Sequence, residues 1–323
     1  MNQTHELSFG FNKIKADVHG LLSQSFKILT MSAVALLGGC SDMVLFDPKG
    51  PIGDTERFVI TASFILMLIV VIPVIVMALW FTWRYRESST GDHDYAPKWS
   101  YSGKIELAIW VIPLIIVTAL GTLIWTSTYR LDPHNPIDST AEPVNIEVVS
   151  LDWKWLFIYP DEDIAIVNQL VFPVGVPLNF RITSDTVMTS FFIPQLGSQI
   201  YAMAGMQTKL HLLADEPGTY LGQNQQFSGS GYAHMNFKAI AVPAEEFTAR
   251  LATLRQSPEK LDRMRYEELL KPTSGYPVTP FSSVTPGLFD YIIGKYSTPK
   301  DHPGAMHGKY GFVPLPAARP EVD

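Results

Sequence analysis

Cysteine is almost missing from this chain of 323 residues: Cys40 stands alone beside 11 methionines and 24 prolines. One thiol excludes an internal disulfide and every metal site built on several cysteines. Charge is scarce too, at 17% of residues, where a globular chain averages about 25%. The deficit, with a positive mean hydropathy, points to a chain partly dissolved in lipid. Basic residues are thin in the middle. Residues 131–243 hold 4 Lys+Arg against 11 Asp+Glu, while 1–130 and 244–323 each balance 10 against 10, so the net charge of −7 belongs to the middle segment. An acidic segment of this kind repels nucleic acid and excludes it as a partner.

What is present begins with long apolar runs. No charged residue occurs over 58–83 or over 107–129, runs of 26 and 23 residues. A helix rising 1.5 Å per residue crosses about 30 Å of hydrocarbon in about 20 residues. Both runs are long enough to span, whereas core helices of soluble proteins seldom lack charge over such lengths. Pro73 and Pro113 fall inside them and predict kinks. Trp80, Trp83, Trp99, Trp110 and Trp125 lie in or beside them, as expected of indoles that favour the headgroup layer. The connecting loop carries Arg84, Arg86, Lys98 and Lys104, against only Lys49 and Arg57 over 41–57, which places the loop in the cytoplasm and both flanks outside. Upstream, a basic residue, a short apolar run and Leu37-Gly38-Gly39-Cys40 resemble a bacterial lipobox. The run is too short to span and fits the apolar region of a signal segment. Cys40 is then the lipidated first residue of the mature chain; the alternative is a lone buried cysteine.

From 144 the pattern changes to short segments rich in Val, Ile, Phe and Thr, at 144–149, 153–159, 164–172, 177–183, 189–193, 208–213 and 236–242. Pro, Gly and Asp punctuate them, which predicts about seven strands and a Greek-key β-sandwich. Over 245–255 and 258–270, apolar residues at helical spacing among balanced charges predict surface helices packed against the sandwich or a partner. The expected layout is a signal segment (1–39), a two-span hairpin (40–130), a sandwich (131–243), a helical extension (244–298) and a tail (299–323). His302 and His307 in that tail read as solvated.

Two spans followed by an outer sandwich resemble subunit II of the haem–copper respiratory oxidases, whose sandwich is a cupredoxin. The segment from Gly218 to Gly229 resembles that family's copper loop, which reads C-x-E-x-C-x-x-x-H-x-x-M in cytochrome c oxidases. In this register Asn224 and Ser228 stand at the two cysteine positions, Gln226 at the glutamate and Tyr232 at the histidine. Met235 alone is retained. Thr189-Ser190-Phe191-Phe192-Ile193-Pro194 resembles the H-S-F/W-x-V-P strand, with Thr189 at the other histidine. The wording resembles subunit II of the cytochrome bo-type ubiquinol oxidases, through Phe46-Asp47-Pro48-Lys49-Gly50, Val149-Ser150-Leu151-Asp152-Trp153-Lys154-Trp155 and the stretch from Gly197 to Thr208.

That resemblance implies a membrane complex that oxidises ubiquinol, reduces oxygen to water and pumps protons, with haems and the remaining copper in subunit I. This chain would carry no cofactor, and its partners would be subunit I, the other subunits and membrane lipid. A binuclear copper carrier depends on thiolate bridges and imidazoles, which an amide, a hydroxyl and a phenol do not replace. His211 and His234 are the only imidazoles over 144–243, and His234 is one residue away from Met235, so an exposed or hydrogen-bonded role is expected. Trp153 and Trp155 match the family's W-x-W stretch and read as retained core packing. Glu106 matches a glutamate near the mouth of a proton-uptake route of subunit I; the alternative is a first-turn carboxylate favoured by the helix dipole. Two other functions stay open. One is an oxidase taking cytochrome electrons by another route, although no C-x-x-C-H haem motif is present; the other is a stand-alone membrane-tethered binding module.

Overall fold

The computed structural model describes residues 43–86 and 100–296. The signal segment, Cys40, Lys98 and the tail from 299 with its two histidines lie outside the described residues. Val44–Phe46, in the short unit ending at Asp47, form one 3-10 turn closed by the Asp47 amide on the Val44 carbonyl.

Two helices follow, α1 (Pro51–Arg84) and α2 (Gly103–Arg130). α1 starts with Pro at its first position, Asp54 in its first turn and Arg84 in its last, an arrangement that suits the helix dipole at both ends. Its most apolar stretch, like that of α2, has no buried residues, which a soluble core helix could not sustain. The hydroxyls of Thr118, Thr122 and Thr126 each donate to the carbonyl four residues back, at 2.8, 2.9 and 3.0 Å. These bonds satisfy the three hydroxyl hydrogens within the helix itself.

α1 has 34 residues, about 51 Å at 1.5 Å per residue, well beyond the hydrocarbon thickness. Its first turns and the residues before them are seated on the sandwich. The Lys49 amide donates to the Gln195 carbonyl (2.7 Å), the Asp215 amide donates to the Lys49 carbonyl (2.8 Å), and Lys49 Nζ pairs with Glu216 at 2.9 Å. Ser198 donates its hydroxyl to the Glu56 carboxylate. Gly50 is required here, since a Cβ would lie 2.1 Å from the Leu213 carbonyl oxygen.

The sandwich has eleven strands: β1 (Val144–Leu151), β2 (Lys154–Tyr159), β3 (Ile164–Val167), β4 (Gln169–Pro173), β5 (Leu178–Ser184), β6 (Thr189–Phe192), β7 (Ile200–Ala202), β8 (Thr208–Leu212), β9 (Gly218–Asn224), β10 (Asn236–Val242) and β11 (Thr279–Phe281). One sheet has the order β11-β3-β2-β1-β5-β8, the other β4-β10-β9-β6-β7, with β1/β5 and β4/β10 parallel. The run 164–172, expected as one strand, changes sheets at Asn168, whose φ of 57° is in the left-handed region that Asn tolerates. The Asn168 side chain fixes the crossover: its oxygen accepts from the Trp155 amide (2.9 Å) and its nitrogen donates to the Tyr276 carbonyl (2.7 Å).

Three further helices follow among the described residues, α3 (Ala244–Leu254), α4 (Arg263–Leu269) and α5 (Leu288–Gly294). α3 adds Leu251 to the core between the sheets. The helix expected over 258–270 begins only at Arg263, where Asp262 caps it by accepting from the Arg265 amide at 2.8 Å. As expected, the C-terminal helices pack on the sandwich, and α4, β11 and α5 do so as a layer of their own. They supply Tyr266, Leu269, Phe281, Leu288, Phe289 and Ile292 to a second core on the outer face of the larger sheet, against Val149, Leu151, Leu156 and Ile158. That third layer is why β2 and β3 are buried at every position instead of alternating.

Candidate site at the free end of the sandwich

Gln195, Leu213 and Glu216 mark the end of the sandwich that receives α1. The first residue of β6 and the last of β9 lie at the opposite end, where Phe191 pairs with Asn224. Five of the six positions singled out in the copper-loop register belong to β9 and the chain leading into β10; Thr189 opens β6.

Asn224 organises the group. It is buried, and its side-chain oxygen accepts from the Ser190 amide (2.9 Å) and the Gln226 amide (3.0 Å). Its nitrogen donates to the Gln226 carbonyl (2.8 Å) and the Ser228 hydroxyl (3.1 Å), with the Met235 sulfur at 3.4 Å. The Gln225 amide donates to Ser190 Oγ at 2.8 Å, joining the loop to β6 a second time. Asn224, Ser228 and Met235 are therefore brought together by their side chains, while Gln226 takes part through its backbone. Thr189 is buried beside them but donates to Ser150 Oγ (2.7 Å). Tyr232 packs its ring against Phe227 with centroids 5.8 Å apart. His234 is exposed in the 3-10 turn Tyr232–His234, and the His211 ring nitrogen meets the Pro133 carbonyl at 2.9 Å.

The two tryptophans of the W-x-W stretch divide the work. Trp155 is fully buried, edge-on to Phe191 and Phe237 at 5.4 and 5.8 Å, in the core packing expected of it. Its indole nitrogen has no hydrogen-bond acceptor among the described residues. Trp153 does something the sequence reading missed. It adopts a φ of 61°, costly for a bulky residue, and its indole nitrogen donates to the Ser228 carbonyl at 2.9 Å. A Cβ at Gly231 would come within 2.2 Å of the Trp153 ring, so only glycine lets the loop lie on the indole. The glycine-serine run Ser228-Gly229-Ser230-Gly231 was the available signal.

Between these tryptophans Lys154 is buried with its ammonium donating to the Lys271 carbonyl (2.9 Å) and lying 5.1 Å from the Tyr276 ring centroid. Burial pushes its pKa down. On the outer face of β1, burial pushes the Glu147 carboxyl up to about 7 against the pull of Arg181, whose guanidinium is 2.7 Å away. Among the described residues no three His, Cys, Asp or Glu side chains gather as a metal-binding group. Glu106 is remote from this end, exposed in the first turn of α2.

Residues 160–242 match the family model described as cytochrome c oxidase subunit II, periplasmic domain, and residues 255–300 match the COX aromatic rich motif. The chain is 51% identical to the cytochrome bo(3) ubiquinol oxidase subunit 2 of Pseudomonas aeruginosa over 91% of its own length and 88% of that protein. It is 48% identical to the ubiquinol oxidase subunit 2 of Acetobacter aceti, over 86% of this chain and 90% of that one. Among solved structures, the periplasmic domain of subunit II of cytochrome oxidase from Bradyrhizobium japonicum covers 36% of this chain and 96% of that one, at 22% identity and a TM-score of 0.34. With two apolar helices unburied, a cupredoxin-like sandwich behind them and relatives at half identity along nearly the whole chain, this protein belongs to the subunit 2 family of the haem–copper ubiquinol oxidases.

Proposed function

We propose that the chain is the redox-inert subunit II of its complex, which oxidises ubiquinol, reduces oxygen and translocates protons while the haems and copper reside in subunit I. The observation that carries this reading is the Asn224 cluster. Both functional ends of the Asn224 amide are engaged by Ser190, Gln226, Ser228 and Met235. The donors on offer are an amide, hydroxyls and one thioether. A binuclear copper centre takes bridging thiolates and imidazoles, so this set does not fit it. No electron step is therefore assigned to the sandwich, whose part is to pack on subunit I from the outer side of the membrane. The test is the electron donor: the complex isolated through this chain takes up oxygen with ubiquinol and not with reduced cytochrome c.

The proposal extends to Glu106. A carboxylate at the cytoplasmic end of α2, exposed in a first turn, can collect protons for an uptake route in subunit I. The expected result for Glu106→Ala is slower turnover, most marked at high pH where protons are scarce, in a complex of normal composition. Wild-type turnover at every pH would remove the assignment.

A further inference from the structure

The loop between β5 and β6 leads directly into the candidate site, and it contains the buried carboxylate of Asp185, whose side chain has 0% exposure. A carboxylate so placed persists only when paired and hydrogen-bonded. Three donors reach it. Lys295 Nζ lies 2.8 and 2.7 Å from its two oxygens, the Tyr296 hydroxyl is at 2.7 Å, and the Tyr266 hydroxyl donates to it as well. All three come from the C-terminal segment that matches the aromatic rich motif. Burial raises both phenols, Tyr296 to about 12, so they remain protonated donors at physiological pH.

The same carboxylate residue is tied into the sandwich by its backbone. The Asp185 amide donates to the Ser150 carbonyl at 3.0 Å, and Ser150 Oγ in turn receives the Thr189 hydroxyl. Tyr296 also rests on Gly205, where φ is +72° and a Cβ would approach Tyr296 Cβ to 2.9 Å. One end of the C-terminal segment thus touches the loop entering β6 and the turn after β7. In the copper-loop register a metal would join Thr189 to residues 224–235 from within. Here that junction consists of hydrogen bonds from Ser190 and Gln225, and the chain entering β6 is gripped from outside.

We infer that the C-terminal aromatic segment takes over the fastening role of a metal at the free end of the sandwich, with Asp185 as the positioning residue through which it acts. The inference rests on the metal-free reading of the site. It gives the segment a purpose beyond covering the larger sheet: it keeps β6 in register for the Ser190–Asn224 bonds.

Hydrogen exchange on the purified oxidase complex tests it. Asp185→Asn is expected to speed exchange at the amides of Thr186, Ser190, Gln225 and Gln226 about tenfold, while β2 and β10 keep their protection. Adding Lys295→Met to Asp185→Asn should recover part of that protection, because the ammonium is no longer left without its counter-charge. Faster exchange confined to 263–296, with Ser190 and Gln225 unchanged, would overturn the inference. If Asp185→Asn prevents assembly, Tyr296→Phe removes one donor and keeps the ring on Gly205. A smaller acceleration of the same amides supports the inference, and none overturns it. Copper analysis of the wild-type preparation separates the two readings, since copper bound to this chain would end the metal-free reading whatever the exchange pattern.

Discussion

Asn224→Ala is expected to lower the stability of the sandwich by about 3 kcal/mol. The substitution strands the buried Ser190 amide and takes the acceptor from the half-buried Gln226 amide, at a cost of about 1–3 kcal/mol for a fully buried unsatisfied group and less for an exposed one. It also frees Ser228 from the loop and opens a small void against Met235. Tryptophan fluorescence follows the change well, because Trp153 and Trp155 report from the two sides of the site. For a domain of this size the loss corresponds to a drop in melting temperature of about 6–12 °C. Asn224→Asp should be no milder: it keeps the acceptor but replaces the donor by a second carboxylate oxygen facing the Gln226 carbonyl. A drop of about 1 °C for Asn224→Ala would mean that the loop is held elsewhere.

A larger loss is expected from Gly222→Ala. A Cβ at this position would lie 2.0–2.4 Å from three carbons of the Phe237 ring. Phe237 has no room to yield: it is stacked on Phe191 with centroids 5.2 Å apart, and Trp155 and Phe157 close the other sides. Overpacking a well-filled core by one methyl costs about 1–3 kcal/mol, and more where the neighbours are rigid. The expected outcome is a complex that assembles poorly, with the chain degraded or missing from the purified oxidase. Gly121→Ala in α2 is the control, since a Cβ there meets nothing within 4 Å in this chain. Normal yield of the Gly222→Ala complex, with an unchanged melting profile, would contradict the packing described for this core.

Much of this architecture is legible in the sequence. Uncharged runs leave little choice but spanning helices, and the change of period near 144 marks where the sandwich begins. Strands rich in Val, Ile and Phe were found because their side chains carry the signal themselves. β9 reads as a loop in the sequence, because Gly222, Gln223 and Asn224 are poor strand formers. Its place is set by partners, Phe237 across the sheet and Ser190 at its end. The division of 164–172 between two sheets depends on one left-handed Asn168, a single-residue event inside an apolar run. The extent of the third layer is not legible for a different reason. α4 and α5 are only seven residues long, and β11 three, too short to show periodicity, and they are fixed by burial against β1, β2 and β3.

The candidate site divides in the same way. Sequence register placed Asn224, Gln226, Ser228, Tyr232, Met235 and Thr189 at ligand positions, and the fold brings three of those side chains together. Register carries no information on how these side chains pair with the rest of the fold. The Asn224 amide as hub, Trp153 as a support under the glycine loop, and Asp185 as the attachment of the C-terminal segment all depend on pairings across 34 to 111 residues of sequence. Such pairings leave no local pattern to read.

The central claim, that electrons reach oxygen without passing through this chain, is tested most directly by oxygen uptake. The complex is purified through a tag on this subunit and given, in turn, a soluble ubiquinol analogue and reduced cytochrome c. The account predicts rapid uptake with the quinol and background uptake with the cytochrome at any ionic strength. Sustained uptake with cytochrome c, abolished by substitutions around Asn224, would contradict it.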